Sequence, residues 1–266
     1  MRNMNPRLAV LCIACQIFLY SNAQQPKLFS SLPGEQTGIH FNNELYEDDR
    51  INYYSWEYLY IGAGVAVGDI NNDGLQDIYF SSTTGYCKLY LNMGNLQFRD
   101  ITDPAGVNGG LGVKTGVTMV DFNYDGWMDI FVCKSGPFTP QYREKLLYIN
   151  NQNGTFTESA KKYGLNDASF STQSYFFDYD NDGDLDVFFL NHPNEFVTSM
   201  QVNATMVNNK MKLIDDTART YVSHQLLKTA GGIIMKSAKK PASPLMHSVS
   251  VPLSMILIMM AGRIFM

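Results

Sequence analysis

Three copies of one acidic nine-residue loop constrain this chain more than any other feature. They occupy residues 69–77, 121–129 and 178–186, and all three fit the pattern D-x-[DN]-x-D-G-x-x-D. Successive copies begin 52 and 57 residues apart. A repeat of about this length is typical of solenoids, propellers and other arrays, in which each repeat is one structural unit. The chain is therefore expected to be built from repeated units.

The residues around each loop also repeat, and they favour β-strands. An alternating apolar segment precedes each loop, and a segment rich in β-branched and aromatic residues follows it. Four short strands per repeat is the content of a propeller blade. The predicted fold is therefore all-β, an incomplete β-propeller of about three four-stranded blades. The predicted strands are residues 64–68, 78–80, 88–92 and one from 98; 116–120, 130–132, 146–150 and one from 156; 174–177 and 187–190; with residues 36–41 and 53–60 as strands that complete the first blade.

The loops match the chemistry of calcium, which takes six to eight oxygen ligands in flexible geometry. Positions 1, 3 and 5 supply side-chain oxygens, position 7 a backbone carbonyl, and position 9 a carboxylate that closes the site. Position 6 is always glycine, where the turn is expected to need a positive φ. We expect about three calcium ions, one per loop. The predicted ligands are Asp69, Asn71, Asp73, Leu75 and Asp77; Asp121, Asn123, Asp125, Trp127 and Asp129; and Asp178, Asp180, Asp182, Asp184 and Asp186.

Other readings of the loops fit less well. An EF-hand needs a bidentate glutamate at position 12, but that position holds Phe80, Val132 and Phe189. Asp, Asn and Gly also favour ordinary turns that bind no ion, and three copies at a regular period argue against that alternative. Loop 3 carries four formal charges against three in each of the others, so its site is expected to be the tightest if Asp184 also contributes to the local field.

The first 23 residues have the features of a signal peptide. Arg2 and Arg7 precede an apolar stretch at residues 8–20, which is short for a membrane span, and a small-residue cleavage site follows it. The alternatives are a buried amino-terminal helix or a lipoprotein acylated at a cysteine within this segment. The expected location is outside the cell or in the cell envelope. Residues 24–225 are then the repeat domain.

The charge distribution points to cations as partners and away from nucleic acid. The whole chain carries −5, residues 1–23 carry +2 and residues 217–266 carry +6, which leaves −13 for residues 24–216. So acidic a domain repels a phosphate backbone. Beyond the predicted signal only Cys87 and Cys133 remain, and we expect buried free thiols there, with a disulfide between them as the alternative.

The last forty residues lack acidic side chains and look unlike the repeats. The apolar run at residues 255–266 is short and contains Arg263, so a transmembrane span is not expected. A shifted reading frame converts Met255-Ile256 and Met259-Met260 to Asp and Met260-Ala261 to Gly, and the neighbouring codons allow D-I-N-N-D-G-W-Q-D-I-Y. We therefore predict a frameshift near Leu226 or Leu227, with residues 226–266 as a non-native tail. The alternative is a genuine divergent tail.

The motif and its period resemble the FG-GAP/VCBS repeat. Residues 62–69 are similar to the glycine-rich segment that precedes the loop in that repeat. Residues 88–92 and 105–107 resemble the bacterial exported relatives of cartilage acidic protein, the ASPIC/UnbV group. This resemblance implies a calcium-bound β-propeller, usually of seven blades. It also implies extracellular binding or adhesion and no common catalytic residues. The chain departs from the family in having three intact loops.

The sequence predicts a binding protein rather than an enzyme. Its histidines, His40, His192, His224 and His247, are scattered, and no pairing of a nucleophile with a base stands out. The expected partner is an extracellular protein or glycan. Two alternatives stay open, a propeller-scaffold enzyme acting on extracellular polysaccharide and a non-functional product of a frameshifted gene. Blades with uncovered faces are expected to make the isolated repeats prone to aggregation.

Overall fold

The computed structural model of the chain describes residues 29–49, 51–193, 204–207, 210–213, 224–230 and 233–235. The chain divides into two units, Met1–Thr37 and Gly38–Met266. The predicted signal peptide at residues 1–23 lies outside the described residues, as does the part of the predicted tail beyond residue 235. No helix among the described residues is long and apolar enough to cross a membrane.

The second unit contains three antiparallel sheets of four strands, and each sheet is one blade. This confirms the prediction of an all-β, incomplete β-propeller. Blade 1 consists of β1 (Val65–Gly68), β2 (Asp77–Phe80), β3 (Lys88–Asn92) and β4 (Phe98–Asp100). Blade 2 consists of β5 (Val113–Val120), β6 (Asp129–Ser135), β7 (Leu146–Asn150) and β8 (Phe156–Glu158). Blade 3 consists of β9 (Ser171–Phe177), β10 (Asp186–Asn191), β13 (Gln225–Ala230) and β14 (Ile233–Met235).

Three further elements connect the strands. A separate hairpin of β11 (Ala204–Val207) and β12 (Lys210–Leu213) lies between β10 and β13 in the chain. One short helix, α2, covers Thr102–Ala105 between blades 1 and 2, and another, α3, covers Pro140–Arg143 inside blade 2. Within each blade the strands pair with their neighbours in order, so each acidic loop joins the innermost strand to the second strand.

The hydrophobic core lies between the blades rather than inside them. Alternation along a strand sends neighbouring side chains to opposite faces, and each blade uses both faces. One face of blade 1 packs on blade 2, and the other face of blade 2 packs on blade 3. The first of these cores contains Ala66, Tyr79 and Leu89 against Val117, Ile130 and Val132. The second contains Phe131 and Leu147 against Val187 and Phe189.

None of the described residues between 39 and 61 lies in a strand, which makes the prediction of strands at 36–41 and 53–60 wrong. Helix α1 covers Gly34–Thr37, and Glu57–Tyr60 form a 3-10 turn. We call residues 39–61 the strap. Its Asn43 accepts a hydrogen bond from the backbone of Thr83 at 2.8 Å, and its Trp56 and Leu59 are buried against Val113. Blade 1 is already complete with β1–β4, so this aromatic segment packs at the ends of the strands instead of adding one.

Strands β13 and β14 of blade 3 extend into the segment that the sequence predicts to be non-native. Gln225–Ala230 pairs with β10, and Ile233–Met235 pairs with β13. These strands take the third and fourth places in the blade, where β7 and β8 lie in blade 2. The predicted frameshift and the domain limits at residues 23 and 225 stay predictions.

The two cysteines outside the predicted signal are both buried and free. Burial raises the pKa of the Cys133 thiol to about 11. Both thiols therefore stay protonated and pack as small apolar side chains. This confirms the expectation of free thiols and excludes the disulfide.

Candidate functional site

The three acidic loops adopt the same backbone shape. Gly74, Gly126 and Gly183 at position 6 have φ of 84°, 85° and 90°, which confirms the expected positive φ. Position 4 is also left-handed, with φ of 57°, 58° and 61° at Asn72, Tyr124 and Asn181. Two left-handed residues separated by one position tighten the turn, and the side chains of positions 1, 3 and 5 come together on its inner side.

The aspartate at position 1 holds the turn closed. Asp69 accepts hydrogen bonds from the backbone N–H of Asp73 at 3.2 Å and of Gly74 at 2.8 Å. Asp121 makes the same pair of bonds, at 3.0 Å to Asp125 and 2.9 Å to Gly126. Asp178 repeats them at 3.2 and 3.0 Å with positions 5 and 6 of its own loop. One carboxylate therefore orients the middle of every loop.

The aspartate at position 5 orients the residue whose carbonyl is the predicted ligand. Its Oδ1 accepts a hydrogen bond from the backbone N–H of position 7. These bonds join Asp73 to Leu75 at 2.8 Å, Asp125 to Trp127 at 2.9 Å and Asp182 to Asp184 at 3.0 Å. The peptide at position 7 is thereby fixed in each loop.

The aspartate at position 9 is buried and ties its loop to the blade. In loop 2, Asp129 Oδ2 accepts from the N–H of Phe122 at 3.1 Å, and Oδ1 accepts from the N–H of Asn150 on β7 at 2.8 Å. The same two bonds reach Asp77 from Ile70 and Asn92, and Asp186 from Tyr179 and Thr229. Each predicted site is therefore connected directly to the third strand of its blade.

The third-strand residues are a part of the site that the motif does not contain. Asn92 and Asn150 end their strands, and their side-chain amides donate to the loop carbonyls of Gln76 at 2.9 Å and Met128 at 3.1 Å. In blade 3 the hydroxyl of Thr229 donates to the carbonyl of Leu185 in the same place. Both β3 and β7 end in the sequence Tyr-x-Asn. This repeat is the sequence signal from which the supporting role of the asparagine could have been predicted.

The electrostatics of the loops favour a cation. Burial raises the pKa of Asp129 to about 6, and the neighbouring carboxylates of Asp125 and Asp121 add to the effect, although two backbone N–H groups oppose it. Burial also raises the pKa of Asp77. A divalent cation among these oxygens would offset the cost of holding the charged carboxylate in the protein. The donor set is thus suited to calcium.

Loop 3 brings three carboxylates close together but shares one of them with a lysine. Ligand atoms of Asp178, Asp180 and Asp186 all lie within 4.8 Å of one another. However, the ammonium of Lys228 on β13 pairs with Asp180 Oδ2, and this bond lowers the pKa of Asp180. An ammonium at this position competes with a metal ion for the same oxygen. The prediction that loop 3 is the tightest site stays a prediction, and Lys228 opposes it.

The loops of adjacent blades are close neighbours. The side-chain amide of Asn72 in loop 1 donates to the carbonyl of Gly126 in loop 2 at 3.1 Å. Tyr124 of loop 2 lies next to loop 3, where partial burial and the carboxylates of Asp184 and Asp178 raise its pKa. The position 4 residue of one loop therefore reaches the next loop, and the three loops form one continuous surface.

A family model described as "FG-GAP-like repeat" matches residues 69–132 and 140–189. The chain contains FG-GAP-like repeats. The first match starts at Asp69 of loop 1 and ends within β6 of blade 2. The second match covers α3, β7 to β9 and loop 3, and ends at Phe189 in β10.

The chain is also similar to cartilage acidic protein 1 from three vertebrates. The Xenopus tropicalis protein is 33% identical over 131 residues, which cover 49% of this chain and 20% of the relative. The Mus musculus protein is 33% identical over 135 residues, with the same coverages. The Homo sapiens protein is 29% identical over 164 residues, or 59% of this chain and 24% of the relative. The chain thus spans about a fifth to a quarter of the length of these relatives.

One serine–histidine pair lies far from the loops, and sequence reasoning missed it. The Ser135 hydroxyl lies 2.7 Å from His192 Nε2, while Nδ1 of this histidine lies 2.7 Å from the carbonyl of Pro193. Ser135 is fully buried, and the ring of Tyr58 lies 4.1 Å from that of His192. The Ser135–His192 contact joins blade 2 to the end of β10 in blade 3, and the ring contacts with Trp56 and Tyr58 join His192 to the strap. Among the other histidines, His224 accepts a bond from the backbone of Asn191 at 3.1 Å, and His247 lies outside the described residues.

Proposed function

We propose that this chain is an exported, calcium-binding repeat protein whose loop surface binds an extracellular protein or glycan, and that it is not an enzyme. The observation that carries the proposal is the threefold repetition of one donor arrangement within FG-GAP-like repeats. A turn needed only for chain reversal has no reason to keep three or four carboxylates together against their mutual repulsion.

Calcium would be held by the five predicted positions of each loop. It suits the flexible, all-oxygen donor set better than magnesium, which demands a near-ideal octahedron. Because position 9 is hydrogen-bonded to the third strand, an ion in the loop would connect the innermost and third strands of the blade. Binding would therefore stiffen the loop surface as well as neutralise it.

The side chains around the predicted calcium sites support a role in binding. Leu75, Tyr124 and Tyr179 are 37%, 56% and 49% exposed on the loops. Exposed tyrosine rings next to polar groups suit both the faces of sugars and the surfaces of proteins. A location outside the cytosol follows from the predicted signal peptide and from the resemblance to extracellular repeat proteins.

Calorimetric titration with calcium tests the proposal. We expect the unmodified protein to bind about three ions, and we expect Asp73→Ala, Asp125→Ala and Asp182→Ala each to remove one of them. Asp103→Ala changes an exposed aspartate of α2 outside the loops and is the matched control. If the unmodified protein takes up no calcium, or if the control loses as many ions as the loop variants, the assignment of the sites is wrong.

A further inference from the structure

One asparagine side chain joins the first two acidic loops. Asn150 ends β7 of blade 2, and its amide donates one hydrogen to the carbonyl of Ile70 in loop 1 at 2.8 Å and the other to the carbonyl of Met128 in loop 2 at 3.1 Å. Ile70 is position 2 of loop 1, between two predicted ligands, and Met128 directly precedes the position 9 ligand of loop 2. The two predicted calcium sites therefore share one amide group.

The amide of Asn150 is held from three sides. Its Oδ1 accepts a hydrogen bond from the backbone N–H of Gln152 at 2.8 Å, so both hydrogens of Nδ2 face the two loop carbonyls. The backbone N–H of Asn150 donates to Asp129 Oδ1 at 2.8 Å. Asn150 and Ile70 are only 3% and 4% exposed. Because water does not compete for these buried groups, a movement of one partner is transmitted to the others.

The same strand position in the other two blades makes a simpler contact. Asn92 in blade 1 donates to the carbonyl of Gln76, which belongs to the loop of its own blade. Thr229 in blade 3 donates its hydroxyl hydrogen to Leu185, again within its own blade. A threonine side chain has a single hydrogen to donate, so it cannot hold two loop carbonyls as Asn150 does. Among the described residues, loops 2 and 3 therefore have no shared amide of this kind.

We infer that Asn150 couples the first two sites, so that filling loop 1 raises the calcium affinity of loop 2, and the reverse. This coupling rests on the proposed binding of calcium by the loops. An ion held by Asp69 and Asn71 would fix the peptide of Ile70 between them, and with it the amide of Asn150. Position 9 of loop 2 is then held in place as well, so the entropic cost of ordering is met once for both sites. Linkage makes the effect equal in both directions.

Mutual repulsion between two bound cations acts against this coupling. An ion in one loop weakens the negative potential that attracts a second ion to the neighbouring loop. The same repulsion acts between loops 2 and 3, which are also neighbours, since Tyr124 of loop 2 lies beside the carboxylates of loop 3. Loops 2 and 3 therefore serve as an internal reference, because they have the effect of charge without the shared amide.

Calorimetric titration of loop variants with calcium measures the coupling. Asp182→Ala leaves loops 1 and 2, Asp73→Ala/Asp182→Ala leaves loop 2, and Asp125→Ala/Asp182→Ala leaves loop 1. The coupling factor is the product of the two stepwise binding constants of the two-loop protein, divided by the product of the two single-loop constants. We expect a factor of at least ~5 for loops 1 and 2. The matching variants for loops 2 and 3 should give a factor of about one or less, since repulsion alone acts there.

Asn150→Thr gives blade 2 the residue that blade 3 has at this position. It keeps a donor for the loop 2 carbonyl and loses the donor for the loop 1 carbonyl, so the factor for loops 1 and 2 should fall to that for loops 2 and 3. Asn92→Thr is the matched control in blade 1 and should leave the factor unchanged. Both substitutions also remove the asparagine oxygen that accepts from Gly94 or Gln152 in the next turn, so this loss is common to the two variants.

The coupling factor separates this role of Asn150 from a purely structural one, which would lower the single-loop constants or the Tm and leave the factor unchanged. Thermal unfolding establishes that each variant is folded, and Asn150→Ser repeats the test with a smaller side chain. A factor of one or less in Asp182→Ala, a factor that Asn150→Thr preserves, or an equal loss in Asn92→Thr would overturn the coupling and leave the calcium sites themselves in place. If the protein takes up no calcium at all, the proposed function is wrong and the coupling with it.

Discussion

At the scale of single residues, the position 9 aspartate combines a structural and a chemical role. Asp129 is fully buried and accepts two backbone hydrogen bonds, yet its pKa is raised to about 6 because burial penalises its charge. Without a cation, Asp129 in the folded state therefore keeps its proton up to a pH of about 6. Its contribution to the free energy of unfolding is present below its ordinary pKa of 3.8 and is lost as the pH rises through about 6.

Calcium affinity of loop 2 should consequently rise with pH up to about 6 and level off above it. The ion has to displace the proton of Asp129, which gives roughly a tenfold gain in affinity per pH unit below the pKa. Titration calorimetry on Asp73→Ala/Asp182→Ala, which leaves loop 2 as the site that binds, measures this directly. An affinity that does not change across pH 6 would contradict the role of Asp129 as a ligand.

Lys228 gives a second prediction at this scale. Lys228→Ala should strengthen calcium binding to loop 3, because Asp180 no longer shares its oxygen with an ammonium. The pair is exposed to solvent, so the expected gain is modest, about two- to fivefold. Lys88→Ala removes the similarly exposed ion pair with Asp100, away from the loops, and should leave calcium binding unchanged. Equal affinities of both variants for calcium would show that Lys228 does not compete.

At the scale of strands and blades, close approach of the innermost strands sets how tightly the blades pack. A Cβ on Gly116 of β5 would lie 2.5 Å from the carbonyl oxygen of Thr172, which precedes Gln173 on β9. A Cβ on Gly64 would lie 2.7 Å from the backbone nitrogen of Val117. These contacts are with backbone atoms, so a side chain at either position forces the blades apart.

Gly116→Ala should therefore lower the free energy of unfolding by about 1–3 kcal/mol, the usual cost of overpacking a close contact. Gly85→Ala is the matched control, since its Cβ would meet only the Ser82 side chain, which is able to move. Urea denaturation of both variants measures the difference. Equal midpoints would mean that the blades tolerate a wider separation than the structure indicates.

The strap shows where inference from sequence stops at this scale. Its aromatic run has the composition of a strand, and that composition led to the wrong prediction for residues 53–60. Its structure is determined by its tertiary contacts. Trp56 and Leu59 pack against Val113, and the ring of Tyr58 packs against that of His192. These partners are more than fifty residues away in the chain, and local pattern carries no information about them. For the same reason the pairing of Ser135 with His192 was not foreseen.

At the scale of the whole molecule, stability should depend on calcium. Each ion that binds the folded loop and not the unfolded chain adds about 2.7 kcal/mol when calcium is at a hundred times its Kd. We expect Tm to rise with calcium concentration and to fall again on addition of a chelator. The triple variant Asp73→Ala/Asp125→Ala/Asp182→Ala should keep one Tm at all calcium concentrations, and a Tm that still responds would place calcium elsewhere.

Sequence alone determined the repeat, the strands that flank each loop and the oxygen-rich turns, because alternation, glycine at φ above zero and hard oxygen donors are local properties that neighbouring residues encode. Tertiary structure decided which strands complete blade 3, how Asn92, Asn150 and Thr229 support the loops, and that Lys228 pairs with Asp180. Those features depend on contacts between residues far apart in the chain. Such contacts exist only once the blades have packed against one another.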